Sequence, residues 1–245
     1  RPHRSKNGAP PRAHQEGHAE NGILIASRSR TTSREQRRHD ASPLPPEFYD
    51  RRTELVARDL LGAILECRTR EGVASGRIVE TEAYLGEHDL ACHAAAGRTA
   101  RTDPLYGPPG IAYVYFIYGM YWCFNAVTRS EGEPSAVLVR ALEPVSGIEL
   151  MRQRRATRSR RDADLTNGPG KLCQALGIDA RHNRNPLQES PLRILYGRDV
   201  PRQSVTITPR VGISRSTEWP LRWFVTDSPF VSKTPASFTR QLADR

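Results

Sequence analysis

The chain has 245 residues, of which 37% are hydrophobic, and its formal net charge at pH 7 is +10. This length suffices for one large domain or two small ones, and no apolar run approaches the roughly 20 residues of a membrane span. The positive charge, carried almost wholly by arginine, favours a polyanionic partner such as nucleic acid, although a generally arginine-rich proteome would give the same excess.

Residues 1–42 are rich in Arg, His, Ser, Gly and Pro, and we predict that they form a disordered basic tail ahead of a folded domain at 43–245. The apolar patch ILIAS at 23–27 is shorter than the about 7–15 residues of a signal-peptide core, so we expect no secretion. The four cysteines form no C-x-x-C pair and no zinc-like spacing with histidine. They predict small buried thiols in a reducing compartment and no metal site.

The segment LPPEFYDRRTELVARDLLGAIL predicts the first helix of the domain, with Thr53 as N-cap and Gly62 as its stop. AILECRT and VASGRIVETEAY predict a hairpin, and IAYVYFIYGMYWCFNAV predicts two strands that meet at Gly119. The strand SAVLVRALEP precedes two helices, one over 146–157 and one across GKLCQALGI. LRILYG, SVTITPRVGI and LRWFVTDSPFVS predict the last strands. Strands follow strands with few helices between them, which favours an α+β fold with an antiparallel sheet.

The stretch YVYFIYGMY, residues 113–121, holds four of the eight tyrosines of the chain. Strand alternation puts Tyr113 and Tyr115 on one face, and it puts Tyr118 at the hairpin tip, where a ring is not easily buried in its own sheet. From the pattern alone, Tyr118 is either a wedge that enters DNA between base pairs or an exposed or dimer-interface tyrosine.

A second cluster, RIVETEAYLGEHDLACH at 77–93, places Glu80 and Glu82 on one strand face, with Tyr84 two residues further on and His93 after a short loop. A carboxylate at the end of a strand, beside an aromatic ring and a histidine, is a usual setting for a general base. A metal site is a weaker alternative because no ligand pair has helical spacing. On the pattern alone, a solvated acidic loop is the commoner outcome.

Five blocks in this order, ARDLLG, GRIVETEAYLG, AYVYFIYGMYWCFN, VLVRALEP and GPGKLCQALGI, resemble the alkyladenine, or 3-methyladenine, DNA glycosylase family. They cover most of residues 53–232. The resemblance implies a base-excision repair enzyme, without metal or cofactor, that acts as a monomer on double-stranded DNA in the cytoplasm, at the bacterial nucleoid. It would flip out an alkylated purine and hydrolyse its N-glycosidic bond. The implied fold is one compact domain with a curved antiparallel β-sheet and a protruding β-hairpin.

By motif match, the resemblance assigns catalysis to three residues. Glu82 would be the general base that orients and deprotonates the attacking water, while Arg140 and the main-chain carbonyl of Val211 would hold that water with it. A carboxylate near the sugar also stabilises a transition state with oxocarbenium character. The match includes 3-methyladenine as substrate, and it leaves 7-methylguanine, hypoxanthine and ethenoadenine unranked.

The same match implies that Tyr84, His93 and Tyr115 sandwich the flipped base and that Asn125 crowds the exocyclic amine of normal guanine. Extruding a base from the duplex costs a few kcal/mol, and aromatic stacking returns about 1–3 kcal/mol. An alkylated purine carries positive charge, so electron-rich rings hold it better than a neutral base by about 0.5–2 kcal/mol.

The resemblance further implies that Tyr118 intercalates, with Met120 and Tyr121 against the neighbouring bases. Inside the domain the lysines are Lys171 and Lys233, and Lys171 stands at a helix start that suits a phosphate contact. Strand-cutting glycosylases need an activated amine, so we predict a monofunctional enzyme. The six arginines of 151–161 favour a phosphate-binding edge, with a solvated helix end as the alternative.

Two alternatives remain at this point: a non-catalytic nucleic-acid-binding domain on the same scaffold, and a glycoside hydrolase that uses Glu82 with another carboxylate. The sequence also departs from the family pattern in places. Thr102 stands where the pattern leads us to expect asparagine, which leaves phosphate contacts of the loop GRTARTDPLYGPPG open, and residues 187–204 do not match clearly.

Overall fold

The computed structural model describes residues 42–233. The predicted tail at 1–42 lies outside this range except for Ser42, whose carbonyl accepts the N–H of Tyr196. Ser42 is therefore already part of the fold. Residues 234–245 also lie outside the described range. Among the described residues, every helix is too short or too polar to traverse a lipid bilayer.

The described residues contain eight strands and five α-helices. The strands are β1 (Ile64–Thr69), β2 (Gly72–Tyr84), β3 (Ala112–Ile117), β4 (Tyr121–Thr128), β5 (Ser135–Ser146), β6 (Leu192–Leu195), β7 (Val205–Thr208) and β8 (Arg222–Val225). The helices are α1 (Pro46–Tyr49), α2 (Thr53–Asp59), α3 (Ile148–Arg155), α4 (Ala163–Thr166) and α5 (Pro169–Leu176). Short 3₁₀ segments lie at His93–Ala96, Asp103–Tyr106, Ala180–His182 and Arg202–Ser204.

All strand pairs are antiparallel, and the main sheet has the order β3-β4-β5-β2-β1-β6. Strand β2 is long enough to pair along the same edge first with β1 and then with β8, which also pairs with β7. Its pairing with β5 is interrupted by three register shifts, and such bulges bend a strand and increase its twist. The predicted α+β class, with a single domain and an antiparallel sheet, is confirmed.

The core lies between this sheet and the helices α2, α3 and α5, with large side chains such as Leu60, Phe124 and Leu172 fully buried. The prediction of Thr53 as N-cap is wrong. Arg52 is the cap residue, while Thr53 begins the helix and its hydroxyl is hydrogen-bonded to that of Thr128 at 3.0 Å. A buried partner across the core therefore decides the position of Thr53.

Candidate active site

A cavity of about 750 Å³ opens between the β3–β4 hairpin, the loop after β2, the start of α5 and the loop at 211–215. Nine of the eleven site residues expected from the sequence line it: Tyr84, His93, Tyr115, Tyr118, Tyr121, Asn125, Arg140, Lys171 and Val211. Glu82 and Met120 do not line it. The fold thus brings together residues that are spread over more than half of the chain.

The strand register places several cavity residues in one row across the sheet. Tyr113 pairs with Asn125, Asn125 with Leu138, and Leu138 with Glu82. Paired residues on neighbouring strands project to the same face, so the row puts Glu82 on the face that carries the cavity. The amide of Asn125 donates to the carbonyl of Tyr113 at 3.1 Å, which fixes the orientation of the amide.

Glu82 is fully buried and lies directly behind the cavity lining. Its Oε2 accepts the hydroxyl of Tyr84 at 3.0 Å and a guanidinium N–H of Arg140 at 3.2 Å, and its Oε1 accepts the backbone N–H of Val211 at 2.7 Å. All three partners line the cavity, so the carboxylate is one residue layer away from it. The contact with Val211 is made by its N–H, and the role of its carbonyl stays a prediction.

Arg140 owes its position to an irregularity in β5. Ala141 pairs with Glu80 and Val139 with Thr81, so Arg140 is the extra residue opposite the step from Glu80 to Thr81. Its Nε donates to Glu80 at 2.9 Å, and another guanidinium nitrogen donates to Glu82. Burial opposes the positive charge, but the two carboxylates outweigh it and hold the pKa of Arg140 above its usual value.

His93 is the aromatic residue whose charge state matters most for the cavity. Its Nδ1 lies 2.9 Å from the hydroxyl of Tyr113, and its ring meets that of Tyr115 edge-on, with centroids 4.5 Å apart. Burial, assisted by the nearby charge of Arg101, lowers the pKa of His93 to about 4. At neutral pH the cavity therefore presents a neutral imidazole, which does not repel a cationic ligand.

A buried ion pair ties together two loops that border the cavity, and the sequence analysis missed it. The guanidinium of Arg210 binds both carboxylate oxygens of Asp89, at 2.5 and 2.8 Å, and also donates to the carbonyl of Ala83. Arg210 also lies over the ring of Tyr84, 4.7 Å from its centroid. Asp89 is completely buried, so the alternative of a solvated acidic loop is wrong for this residue. Only the position of Arg210 next to Val211 hinted at its role.

The tip of the β3–β4 hairpin presents its side chains to solvent. Tyr118 is 78% exposed and Met120 63%, while Tyr121 is 42% exposed and packs against Gly170. Tyr118 and Gly119 both have left-handed backbone angles, with φ of 53° and 67°, and the N–H of Met120 closes the turn onto Ile117. The three-residue loop 118–120 thus contains a turn whose two central residues have positive φ, as hairpin turns favour, and it leaves the Tyr118 ring exposed.

Two cations line the cavity beside the hairpin. Lys171 Nζ donates to the side chain of Asn167 at 2.7 Å, and burial followed by the charge of Arg155 lowers its pKa. Burial also lowers the pKa of Arg155, whose Nε is buried without a partner among the described residues. In the rest of 151–161, Arg152, Arg154 and Arg161 pair with acids, whereas Arg158 and Arg160 are exposed and have no acidic partner within 42–233.

Two other expectations from the sequence can be compared with the structure. All four cysteines are free and buried, as predicted. Thr102 is buried and its hydroxyl accepts the N–H of Thr99 and donates to the carbonyl of Gly97, so it organises its own loop. Within the described range, His, Cys, Asp and Glu side chains form no group of three or more suited to a metal ion.

Known proteins resemble this sequence over most of its length. The pattern of the methylpurine-DNA glycosylase family matches residues 47–229. A protein of Myxococcus xanthus named "Putative 3-methyladenine DNA glycosylase" is 48% identical over 203 residues, which cover 82% of this chain and 98% of that protein. Proteins with the same name from Legionella pneumophila (strain Corby) and Chlorobaculum parvum are 44% and 46% identical, over 78% of this chain and 98% and 91% of their own lengths.

Proposed function

The chain belongs to the methylpurine-DNA glycosylase family, and on that premise we propose how it works as a DNA glycosylase, a hydrolase of N-glycosyl bonds. It excises alkylated purines from double-stranded DNA, 3-methyladenine first, with 7-methylguanine, hypoxanthine and ethenoadenine as further substrates. The activity resides in a single domain, predicted at 43–245 and extended by Ser42 in the structure, that acts as a monomer on nucleoid DNA in the cytoplasm.

The buried carboxylate of Glu82 behind the cavity is the observation that carries this proposal. Arg140, Tyr84 and Val211 hold it by three hydrogen bonds. In the reaction, the C1′–N bond breaks and the base leaves with the electron pair. The water oxygen forms the new bond to C1′, and Glu82 takes a proton from that water. The negative charge of Glu82 also stabilises the positive charge that develops on the sugar.

The aromatic lining supports recognition of a damaged purine outside the helix. Tyr84, Tyr115 and the neutral His93 offer ring surfaces to a planar ligand, at about 1–3 kcal/mol per stacked base. Because His93 is uncharged at neutral pH, it does not oppose a cationic methylated base. Asn125, whose amide is held by Tyr113, limits the room for the exocyclic amine of guanine.

The exposed hairpin supports base flipping. Removing a nucleotide from the stack costs a few kcal/mol, and a ring inserted into the gap offsets part of that cost. Tyr118 projects from the sheet and inserts its ring into the gap left by the flipped nucleotide, while Met120 and Tyr121 contact the neighbouring bases. Lys171 and Arg155 contact phosphates next to the flipped nucleotide, and Arg158 and Arg160 contact the backbone further away.

The enzyme is monofunctional in this proposal. Imine formation needs an amine with a free path to C1′. Lys171 Nζ donates one hydrogen bond to Asn167, which holds the ammonium in place, and its remaining N–H groups are left for a phosphate.

The test is Glu82→Gln, which keeps the size of the side chain and removes the base. We expect the single-turnover rate of base release to fall by about 10³-fold, within the range for loss of a general base, while the Kd for damaged duplex changes little. The matched control is Glu143→Gln, which removes a carboxylate paired with Arg77 outside the cavity lining and is expected to leave the rate unchanged. Full activity of Glu82→Gln would refute the mechanism, and wild-type protein that only binds DNA would indicate a non-catalytic domain.

A further inference from the structure

A fully buried ion pair joins Arg210, which precedes the loop at 211–215, to Asp89 in the loop after β2, and neither side chain lines the cavity. The guanidinium binds both carboxylate oxygens, and the same oxygens accept the backbone N–H groups of Leu85 and Ala91, each at 3.1 Å. Burial opposes the charge of Asp89, but Arg210 and these N–H groups outweigh it and lower its pKa. The pair is therefore charged at neutral pH and closes the loop after β2.

The backbone that follows Arg210 carries a partner of the catalytic carboxylate. The N–H of Val211 donates to Oε1 of Glu82 at 2.7 Å. Val211 lies outside the sheet, because β7 ends at Thr208 and β8 begins at Arg222, so strand pairing does not hold this N–H in place. The anchor is the side chain of the preceding residue, Arg210, and the orientation of the Val211 N–H depends on it.

The same guanidinium also holds a second partner of Glu82. It donates to the carbonyl of Ala83 at 2.9 Å and lies over the ring of Tyr84, 4.7 Å from the centroid. The hydroxyl of Tyr84 in turn donates to Oε2 of Glu82 at 3.0 Å. Each oxygen of Glu82 thus has one hydrogen-bond donor whose position depends on Arg210. A guanidinium can make all these contacts because it offers five N–H donors and a planar face, whereas an ammonium is a point charge.

We propose that Arg210, held by Asp89, is a positioning residue for the glycosylase reaction, which fixes Glu82 in the orientation that activates the water. This inference rests on the proposed function. Arg210 acts through the N–H of Val211 and the ring of Tyr84, and it contacts neither the water nor the base. Loss of its planar donors would leave Glu82 in the site with a less defined orientation, and a misplacement of about 1 Å costs about 100-fold in rate.

The first test uses the wild-type chain. In protein labelled with 15N-valine, the Val211 signal is assigned by its loss in Val211→Ala, and hydrogen exchange of each valine N–H is followed by NMR. We expect the Val211 N–H to exchange at least about 1,000-fold more slowly than an unstructured amide, although it lies in a loop, because exchange requires the anchored loop to open. Exchange at the rate of an unstructured amide would overturn the proposal.

The second test is Arg210→Lys, which keeps the positive charge next to Asp89 and removes the planar donors. Single-turnover excision is measured with the modified purine that wild type releases fastest from a panel of duplexes. Binding is measured on a duplex with an uncleavable abasic-site analogue, which places no base against Tyr84. We expect the rate to fall about 100-fold, with Kd within about threefold of wild type.

The matched control is Arg77→Lys. Arg77 lies in β2, pairs with Glu143 and donates to the carbonyl of Gly62, and all three residues lie outside the cavity lining. The substitution is the same and also removes planar donors from a carboxylate and a carbonyl. We expect its rate and its Kd to stay within about threefold of wild type.

A double-mutant cycle with Glu82→Gln separates positioning from general structure. If Arg210 acts by orienting the carboxylate, its replacement matters little once the carboxylate is gone. We expect Arg210→Lys to slow Glu82→Gln less than about threefold, against about 100-fold in wild type. Equal losses in the two backgrounds would indicate a structural role and overturn the proposal, as would an Arg210→Lys enzyme with the wild-type rate.

Thermal unfolding of each variant is recorded alongside. If Arg210→Lys does not fold, the neutral pair Arg210→Gln/Asp89→Asn replaces it in the cycle, since removing both charges of a buried pair costs less than removing one. A rate loss that disappears in Glu82→Gln again supports the proposal, and an equal loss or none overturns it. If neither variant folds, the wild-type exchange of the Val211 N–H decides.

The proposed function and this inference fail in different ways. A wild-type protein that releases no purine from any duplex refutes the proposed function itself. Wild-type excision that is indifferent to Arg210 refutes only this inference.

Discussion

The pH dependence of folding stability should report on His93. Its pKa is about 4 in the fold against 6.5 ordinarily, so the unfolded chain takes up the proton first as the pH falls. The contribution of the neutral His93 to the free energy of unfolding is therefore fully present above pH 6.5 and is lost as the pH falls toward 4. From these two values, protonation of the unfolded chain costs the fold about 2 kcal/mol at pH 5, and solvent screening at this half-buried site reduces that to about 1 kcal/mol.

The variant His93→Gln removes the titrating group and keeps a polar partner for the Tyr113 hydroxyl. We expect its free energy of unfolding in urea to fall less than that of wild type between pH 7.5 and pH 5, by about 1 kcal/mol. The difference between the two proteins isolates His93, because His182 and the paired carboxylates, whose pKa values are also lowered, titrate in both. Equal pH dependence in the two proteins would refute the argument.

Two further predictions concern DNA. Tyr118→Ala should slow excision from duplex about 10- to 100-fold, through the loss of about 1–3 kcal/mol of stacking, while Tyr118→Phe should remain near wild type. Equal losses in the two variants, measured in single-turnover assays, would contradict intercalation by the ring. Lys171→Ala should reduce the slope of log Kd against log salt by about one, and borohydride should trap no covalent complex with wild type. A trapped complex that depends on Lys171 would refute both the phosphate contact and the monofunctional mechanism.

Much of the fold followed from short-range patterns. The hairpin of β1 and β2, the hairpin that turns at Gly119, and the strand β5 were predicted because alternation and turn residues are local signals. The prediction of Thr53 as N-cap of α2 is wrong because its hydroxyl is hydrogen-bonded to Thr128, which lies on a strand distant in sequence. No local rule anticipates a hydrogen bond across a core.

In the site, too, the features that depend on tertiary structure were not predictable from local patterns. The row that joins Asn125 to Glu82 depends on the registers of three strands, which the motifs alone do not contain. The bulge that places Arg140 between Glu80 and Glu82 has no signature in VLVRALEP, where no residue type marks the extra position. Nothing in the sequence marks Arg210 as buried, and only the folded chain reveals its buried partner Asp89. Side chains that act through tertiary partners are therefore the ones that sequence reasoning missed.

The left-handed backbone at Tyr118 has a consequence for anyone who tries to make this protein more heat-resistant. A non-glycine residue in that conformation costs about 1–2 kcal/mol, and asparagine or glycine would relieve part of it. A screen that selects only for thermal stability would thus favour replacing Tyr118. The selected variants would be more stable, but their hairpin tip would lack the tyrosine ring. At position 118, stability and activity favour different residues, so stabilising substitutions should be sought at other positions.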